Sequence, residues 1–107
     1  SPVDCLSDGI IFTLKKKGYT VDNIPVITGQ DSTPDALKNI QEGYQAMTIL
    51  KDGKQLQNSV LEMVKAISQG KEATINDTST YNNGVMDMKS FLCKPELIDQ
   101  SNLSKVL

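Results

Sequence analysis

Polar side chains follow the predicted strands of this sequence at three places, and their types suit the binding of hydroxyl groups. These positions are Asp4, Gln30-Asp31 and Lys51-Asp52. An ionised aspartate offers two acceptor oxygens, and a lysine ammonium offers three donor protons. Together they suit a neutral, polyhydroxylated ligand, because each hydroxyl of such a ligand can both donate and accept a hydrogen bond.

Each of these residues also has a simpler structural interpretation. Asp4 fits the N-cap of the helix that follows it better than it fits a ligand contact. For Asp31, the sequence favours the interpretations as a solvated loop residue and as a ligand contact about equally. Lys51 is expected to be solvent-exposed unless a ligand cleft covers it, and Asp52-Gly53 is typical of a turn.

Three helices are predicted from apolar spacing and from end signals. The first covers residues 5–17, with Asp4 before it and Gly18 after it. Its apolar face consists of Leu6, Ile10 and Leu14. The basic run at residues 15–17 fits the end of this helix, because cations are favourable near a helix C-terminus.

The second and third helices carry clearer start and stop signals. Thr33-Pro34-Asp35 opens the second, which ends at Gly43, and the third lies between Gly53 and Gly70. The inward-facing residues are Leu37 and Ile40 in the second helix and Leu56, Val60, Met63, Val64 and Ile67 in the third.

Two short β-rich runs, Ile24–Thr28 and Ala46–Leu50, alternate with these helices. This order predicts an α/β fold, in which a parallel sheet is flanked by helices. Ligands of such sheets bind outside the carboxyl ends of the strands. The three polar positions are therefore expected at one edge of the sheet.

The remainder of the chain has a different character. Residues 74–94 are rich in Thr, Asn, Tyr and Ser, and Asn82-Asn83-Gly84 is a turn signal. The segments 85–88 and 90–93 are predicted to be extended, and a short helix is predicted near residues 101–106. Residues 1–3 fit the tip of a strand, and the abrupt start is typical of a piece cut from a larger protein.

Composition excludes several classes of function. The chain has 107 residues, a net charge of −2 and no histidine, so no basic face favours nucleic acid and no Ser-His or Cys-His catalysis is available. No phosphate-binding glycine motif is present, and no apolar stretch is long enough to span a membrane. The two cysteines, Cys5 and Cys93, are expected to be unpaired and partly buried. We therefore predict no enzyme activity, no cofactor and no metal site.

The chain resembles the C-terminal part of type 1 periplasmic sugar-binding proteins, and specifically the xylose and multiple-sugar-binding branch that serves ABC transporters. The motifs that carry the resemblance are "TGQD" at 28–31, "MTILKD" at 47–52 and "TYNNGV" at 80–85. The resemblance implies two α/β lobes that are joined by a hinge and close on a sugar. Residues 1–72 would form part of the second lobe without its first strands. Residues 73–107 would form a hinge-crossing segment and a C-terminal tail that packs on the other lobe.

The same resemblance assigns roles to the polar residues. Asp31 would accept hydrogen bonds from sugar hydroxyls, and Lys51 would donate to the sugar. The family usually has Asn-Asp where this chain has Val3-Asp4, and that asparagine binds sugar. Three consequences stay open: a different ligand, weaker sugar binding, or a role as a sensor subunit.

The partners implied are a monosaccharide (a pentose or hexose), the missing N-terminal lobe, and an ABC permease or a membrane sensor kinase. Pairing with the missing half or with a second copy is also expected, because the piece would expose a sheet edge. The location implied is bacterial and exported, either periplasmic or extracellular and membrane-anchored. Two alternatives stay beside transport, namely an extracytoplasmic sugar sensor and the effector-binding domain of a LacI-type repressor.

Overall fold

The computed structural model describes residues 1–107, which form two compact units. One unit combines Ser1–Lys51 with Pro95–Leu107, and the other is Asp52–Lys94. The elements in chain order are α1 (Asp4–Lys16), α2 (Pro34–Glu42), β1 (Met47–Leu50), α3 (Gly53–Ser68), β2 (Glu96–Asp99) and a 3-10 turn (Leu103–Lys105). No helix combines the length and the apolar character needed to cross a membrane. The predicted division into a partial lobe (residues 1–72) and a hinge-crossing segment with a tail (residues 73–107) stays a prediction.

The predicted parallel arrangement is present between the segment ending at Thr28 and β1. Thr28 forms a parallel bridge with Met47, and the Gly29 N–H donates to the Met47 carbonyl at 3.0 Å. The strand predicted over Ile24–Thr28 is too long at its start, because hydrogen bonds to the neighbouring segment begin only at Ile27, whose carbonyl accepts from the Ala46 N–H at 2.8 Å. Pro25 has no N–H to donate, and Val26 is 84% exposed.

A second strand, β2, pairs with β1 in the antiparallel direction and was not predicted. Thr48 lies opposite Ile98 in this pair, so this part of the tail belongs to the same unit as residues 1–51. The segment is four residues long with only two apolar side chains, Leu97 and Ile98, and this is too little for a strand pattern. The predicted hinge crossing by residues 73–107 stays a prediction.

The core of the first unit lies between α2 and the β1–β2 pair. Its buried members are Leu37, Ile40, Ile98 and Leu103. The inward face predicted for α2 is confirmed, as are its ends: Thr33 Oγ1 accepts from the Ala36 N–H at 3.3 Å, and Gly43 closes the helix with φ 88°. The short helix predicted near residues 101–106 is a single 3-10 turn.

The apolar face predicted for α1 is wrong. Leu6 and Ile10 are exposed, and the buried face consists of Asp4, Ser7 and Ile11. Ser7 Oγ donates to the Thr28 carbonyl at 2.8 Å. Polar contacts of this kind turn α1 toward the segment before α2, so the face with fewer apolar residues is the one that packs.

In the second unit, Asp52 is the N-cap of α3 rather than only a turn residue, because its Oδ1 accepts from the Lys54 N–H at 2.8 Å. The apolar face predicted for α3 lies on the helix but is not a core within this chain. No residue of α3 is buried, and Ile67 is 64% exposed.

The rest of this unit, residues 69–94, is irregular. The predicted turn at Asn82–Gly84 is confirmed: Gly84 has φ 88°, and Asn83 Oδ1 accepts from the following backbone. The two segments predicted to be extended form no strand, since their pairing is limited to isolated bridges between Asn82 and Asp87 and between Asp77 and Ser90.

Candidate functional site

The candidate site begins with the turn that joins the parallel-paired segment to α2. Asp31 and Ser32 both have positive φ values, 105° and 55°. Residues other than glycine rarely adopt this region of backbone conformation. The Asp31 N–H still donates to the Ile49 carbonyl at 2.9 Å. The turn is therefore anchored to β1 while its backbone adopts a costly conformation.

Asp31 and Lys51 lie together at the end of the sheet, as the sequence predicted. Lys51 Nζ is 3.0 Å from Asp31 Oδ1, and the side chains are 57% and 42% exposed. The turn supplies the carboxylate, and the residue after β1 supplies the ammonium. An acceptor and a donor are therefore adjacent and open to solvent.

Asp4 is placed differently from its prediction. It is not the N-cap of α1, because Val3 occupies that position without a side-chain hydrogen bond. Asp4 lies in the first turn with its side chain fully buried. Its Oδ2 accepts from the Thr33 N–H at 3.0 Å, so its carboxylate holds the residue that caps α2. Full burial argues against a direct ligand contact, and that role of Asp4 stays a prediction.

Two further side chains complete the surroundings of Asp4. Thr48 Oγ1 donates to the carboxylate at 2.9 Å from Oδ1, and Gln45 Nε2 donates to Oδ1 at 3.1 Å. Thr48 Oγ1 also accepts from the Ser32 N–H at 3.2 Å. The Asp4 carboxylate is thus connected through one hydroxyl to the turn that carries Asp31.

Gly29 permits this close approach. A Cβ at Gly29 would lie 2.0 Å from Asp4 Oδ1 and 2.8 Å from Gln45 Nε2. Its φ is not positive, so the need for glycine here comes from the space that the carboxylate occupies.

Two buried polar atoms near this network have no hydrogen-bond partner, Ser32 Oγ and Gln45 Oε1. Buried polar atoms of this kind are uncommon in folded proteins. Each belongs to a residue that already contacts the Asp4–Thr48 pair through another atom.

Asp8, one turn after Asp4 in α1, has a perturbed acidity. Burial raises the pKa of its carboxyl above the ordinary 3.8, and the negative charges of Asp35 and Asp4 act in the same direction. A hydrogen bond from Asn39 Nδ2, at 2.8 Å, opposes this rise. Asp8 was not among the predicted site residues.

No group of three or more histidine, cysteine, aspartate or glutamate residues is arranged to hold a metal ion. Both cysteines are free; Cys5 is exposed and Cys93 is half-buried. The expectation of partly buried thiols is therefore wrong for Cys5, because that residue lies on the exposed side of α1.

A family model described as a periplasmic binding protein domain matches residues 1–72. The chain belongs to this periplasmic binding protein family. Among curated relatives, the multiple sugar-binding periplasmic receptor ChvE of Rhizobium radiobacter is 42% identical over 100% of this chain and 31% of its own length. The multiple sugar-binding periplasmic protein SbpA of Azospirillum brasilense is also 42% identical, over 95% of this chain and 29% of its own length.

The fold of this periplasmic binding protein segment is found in a solved structure. An ABC transporter solute binding protein from Clostridium phytofermentans, with bound β-D-glucose, superposes with a TM-score of 0.72 and 40% identity. The match covers 78% of this chain and 26% of that chain. The predicted α/β periplasmic-binding-protein fold is confirmed, and the chain spans less than a third of the length of these proteins, as a partial lobe would.

The sequence alone did not single out Gly29, Gln45 or Thr48 as parts of the site. A usable signal was present, because Gln45 and Thr48 are polar residues beside or inside an apolar strand pattern. A buried polar side chain in a strand requires a hydrogen-bond partner. That partner, Asp4, is 44 residues away from Thr48 in sequence, so only the folded chain identifies it.

Proposed function

We propose that this chain is part of one lobe of a sugar-binding periplasmic protein that serves an ABC transporter. The observation that carries the proposal is the exposed Asp31 carboxylate beside the exposed Lys51 ammonium, 3.0 Å apart at the end of the sheet. Its support is the similarity along the whole chain to a multiple sugar-binding receptor, and the similarity over 78% of the chain to a glucose-bound solute binding protein.

In this proposal Asp31 accepts hydrogen bonds from sugar hydroxyls and Lys51 donates to sugar oxygens. The ligand has to compete with the ion pair that these two side chains form in the free chain. An exposed ion pair contributes only about 0–1 kcal/mol, whereas hydrogen bonds from hydroxyls to a charged group are worth about 1.5–3 kcal/mol each. A sugar can therefore replace the pair without a large penalty.

The other lobe supplies the rest of the cleft, and closure of the two lobes removes water from the sugar. The exclusion of water strengthens each hydrogen bond to Asp31 and Lys51, because the local dielectric constant falls. We propose a location in the periplasm, an ABC permease as partner and no catalytic activity. ChvE and SbpA are both named as sugar-binding periplasmic proteins, which favours the transport role over the repressor alternative.

Isothermal titration calorimetry on the full-length protein that contains these residues tests the proposal. With D-glucose as the titrant, we expect Asp31→Ala to weaken binding by about 10- to 150-fold, which corresponds to the loss of one hydrogen-bonded charge. Asp22→Ala is the matched control, because Asp22 is an exposed aspartate of the loop before residue 24. If Asp31→Ala binds D-glucose and D-xylose as tightly as the wild type does, the assignment of Asp31 as a sugar-binding residue is contradicted.

A further inference from the structure

We propose that Asp4 and Thr48 are positioning residues, which hold the turn at residues 30–33 so that the Asp31 carboxylate points to the ligand. The proposal rests on the proposed function, since it gives a role to Asp31 in sugar binding. Neither residue has an exposed side chain, so each would act on the sugar only through the turn.

The turn has a backbone conformation that the rest of the structure must support. Asp31 and Ser32 follow one another with φ values of 105° and 55°. A backbone of this kind does not persist in a free loop, because a non-glycine residue pays a steric cost at positive φ. The surrounding structure must therefore hold both residues, and such strained positions cluster at ligand-binding sites.

A set of hydrogen bonds holds the turn in this conformation. Three consecutive backbone N–H groups, those of residues 31, 32 and 33, each have an acceptor: the Ile49 carbonyl, Thr48 Oγ1 and Asp4 Oδ2. Two of the three acceptors therefore belong to the proposed positioning residues.

The Thr48 hydroxyl links the Asp4 carboxylate to the turn. It has one proton, and the only acceptor within hydrogen-bond distance is the Asp4 carboxylate, at 2.9 Å from Oδ1 and 3.0 Å from Oδ2. With its proton directed to Asp4, the oxygen presents lone pairs to the Ser32 N–H at 3.2 Å. Asp4 thus fixes the orientation of Thr48, and Thr48 fixes Ser32, the residue next to Asp31.

The Asp4 carboxylate is also confined by two neighbouring residues, Gly29 and Gln45. The carboxylate of Asp4 occupies the space that a side chain at Gly29 would need, and Gln45 Nε2 donates to the same carboxylate oxygen. The position of the carboxylate is therefore fixed from several directions, which a positioning role requires.

A double-mutant cycle in the full-length protein, with D-glucose as the titrant, tests the proposal. Thr48→Val keeps the shape of the side chain and removes the hydroxyl. We expect it to weaken binding about fivefold to tenfold, and we expect Thr48→Ser to restore most of the affinity. In the Asp31→Ala background the same substitution is expected to change affinity by less than about twofold, because the group that Thr48 positions is absent.

Thr13→Val is the matched control, since the Thr13 hydroxyl donates only to the Gly9 carbonyl of its own helix. The same fold-change for Thr48→Val with and without Asp31 would overturn the positioning role in favour of a general loss of stability. A loss of affinity in Asp31→Ala without any loss in Thr48→Val overturns this proposal alone. Unchanged affinity in Asp31→Ala overturns the proposed function and this proposal together.

A second measurement needs no variant, which matters if Thr48→Val does not fold. Hydrogen exchange at the amides of Ser32 and Thr33 reports directly on the bonds to Thr48 and Asp4. We expect protection comparable to that of the Asp31 amide, which bonds to β1. Exchange of the Ser32 and Thr33 amides at the rate of an unstructured loop would overturn the proposal.

Discussion

Replacing Gly29 by alanine is expected to destabilise the chain through a direct conflict with Asp4. The new Cβ would lie 2.0 Å from Asp4 Oδ1, whereas such contacts do not fall below 3.0 Å in folded proteins. The buried carboxylate would then have to move by about 1 Å. It cannot do so freely, because it accepts hydrogen bonds from Thr33, Gln45 and Thr48.

The expected magnitude follows from two costs. Inserting a methyl group into a filled site costs about 1–3 kcal/mol. Moving the carboxylate also weakens at least one hydrogen bond to a charged group, which is worth about 1.5–3 kcal/mol. We therefore expect Gly29→Ala to lower the free energy of unfolding by about 2.5–6 kcal/mol.

Urea denaturation, followed by circular dichroism, measures this difference. Gly9→Ala is the matched control: Gly9 lies inside α1, and nothing is within 4 Å of a Cβ there, so the control should stabilise the chain by up to about 1 kcal/mol. When Asp4 is already replaced by alanine, Gly29→Ala should lower the free energy of unfolding much less, because the conflicting carboxylate is absent. A free energy of unfolding for Gly29→Ala within about 0.5 kcal/mol of the wild type would refute the reasoning.

Two further predictions concern the core and the response to pH. Ile40→Ala should lower the free energy of unfolding by about 2–5 kcal/mol, because Ile40 is fully buried; Val26→Ala, at a residue that is 84% exposed, should change it by no more than about 0.5 kcal/mol. Hydrogen bonds from Ser101 lower the pKa of Asp99 below its ordinary value of 3.8. The ionised Asp99 carboxylate therefore stabilises the fold at pH values above 3.8, and this contribution is lost as the pH falls through the folded pKa of Asp99. The pKa of Asp8 is raised, so its ionised form costs stability at neutral pH. Urea midpoints measured at pH 7 and at low pH should therefore show that Asp99→Ala destabilises and Asp8→Asn stabilises the chain at pH 7. Both effects should shrink at low pH. Effects of equal size at pH 7 and at low pH would contradict the stated causes.

The local signals in the sequence predicted α2 and β1 well. Thr33-Pro34 at the start and Gly43 at the end set the limits of α2 through cap chemistry that depends only on neighbouring residues. The apolar run before Lys51 likewise predicted β1. The ends of these elements then predicted that Asp31 and Lys51 would meet, because the carboxyl ends of parallel-paired segments reach the same edge.

Only the tertiary structure decided which face of α1 packs and what Asp4 does. The apolar spacing of Leu6 and Ile10 predicted one buried face, yet the buried face of α1 consists of Asp4, Ser7 and Ile11. A sequence pattern counts apolar residues, whereas packing also depends on hydrogen-bond partners that lie far along the chain. For Asp4 those partners are Thr33, Gln45 and Thr48, which adjoin it only when α1, the turn and β1 come together.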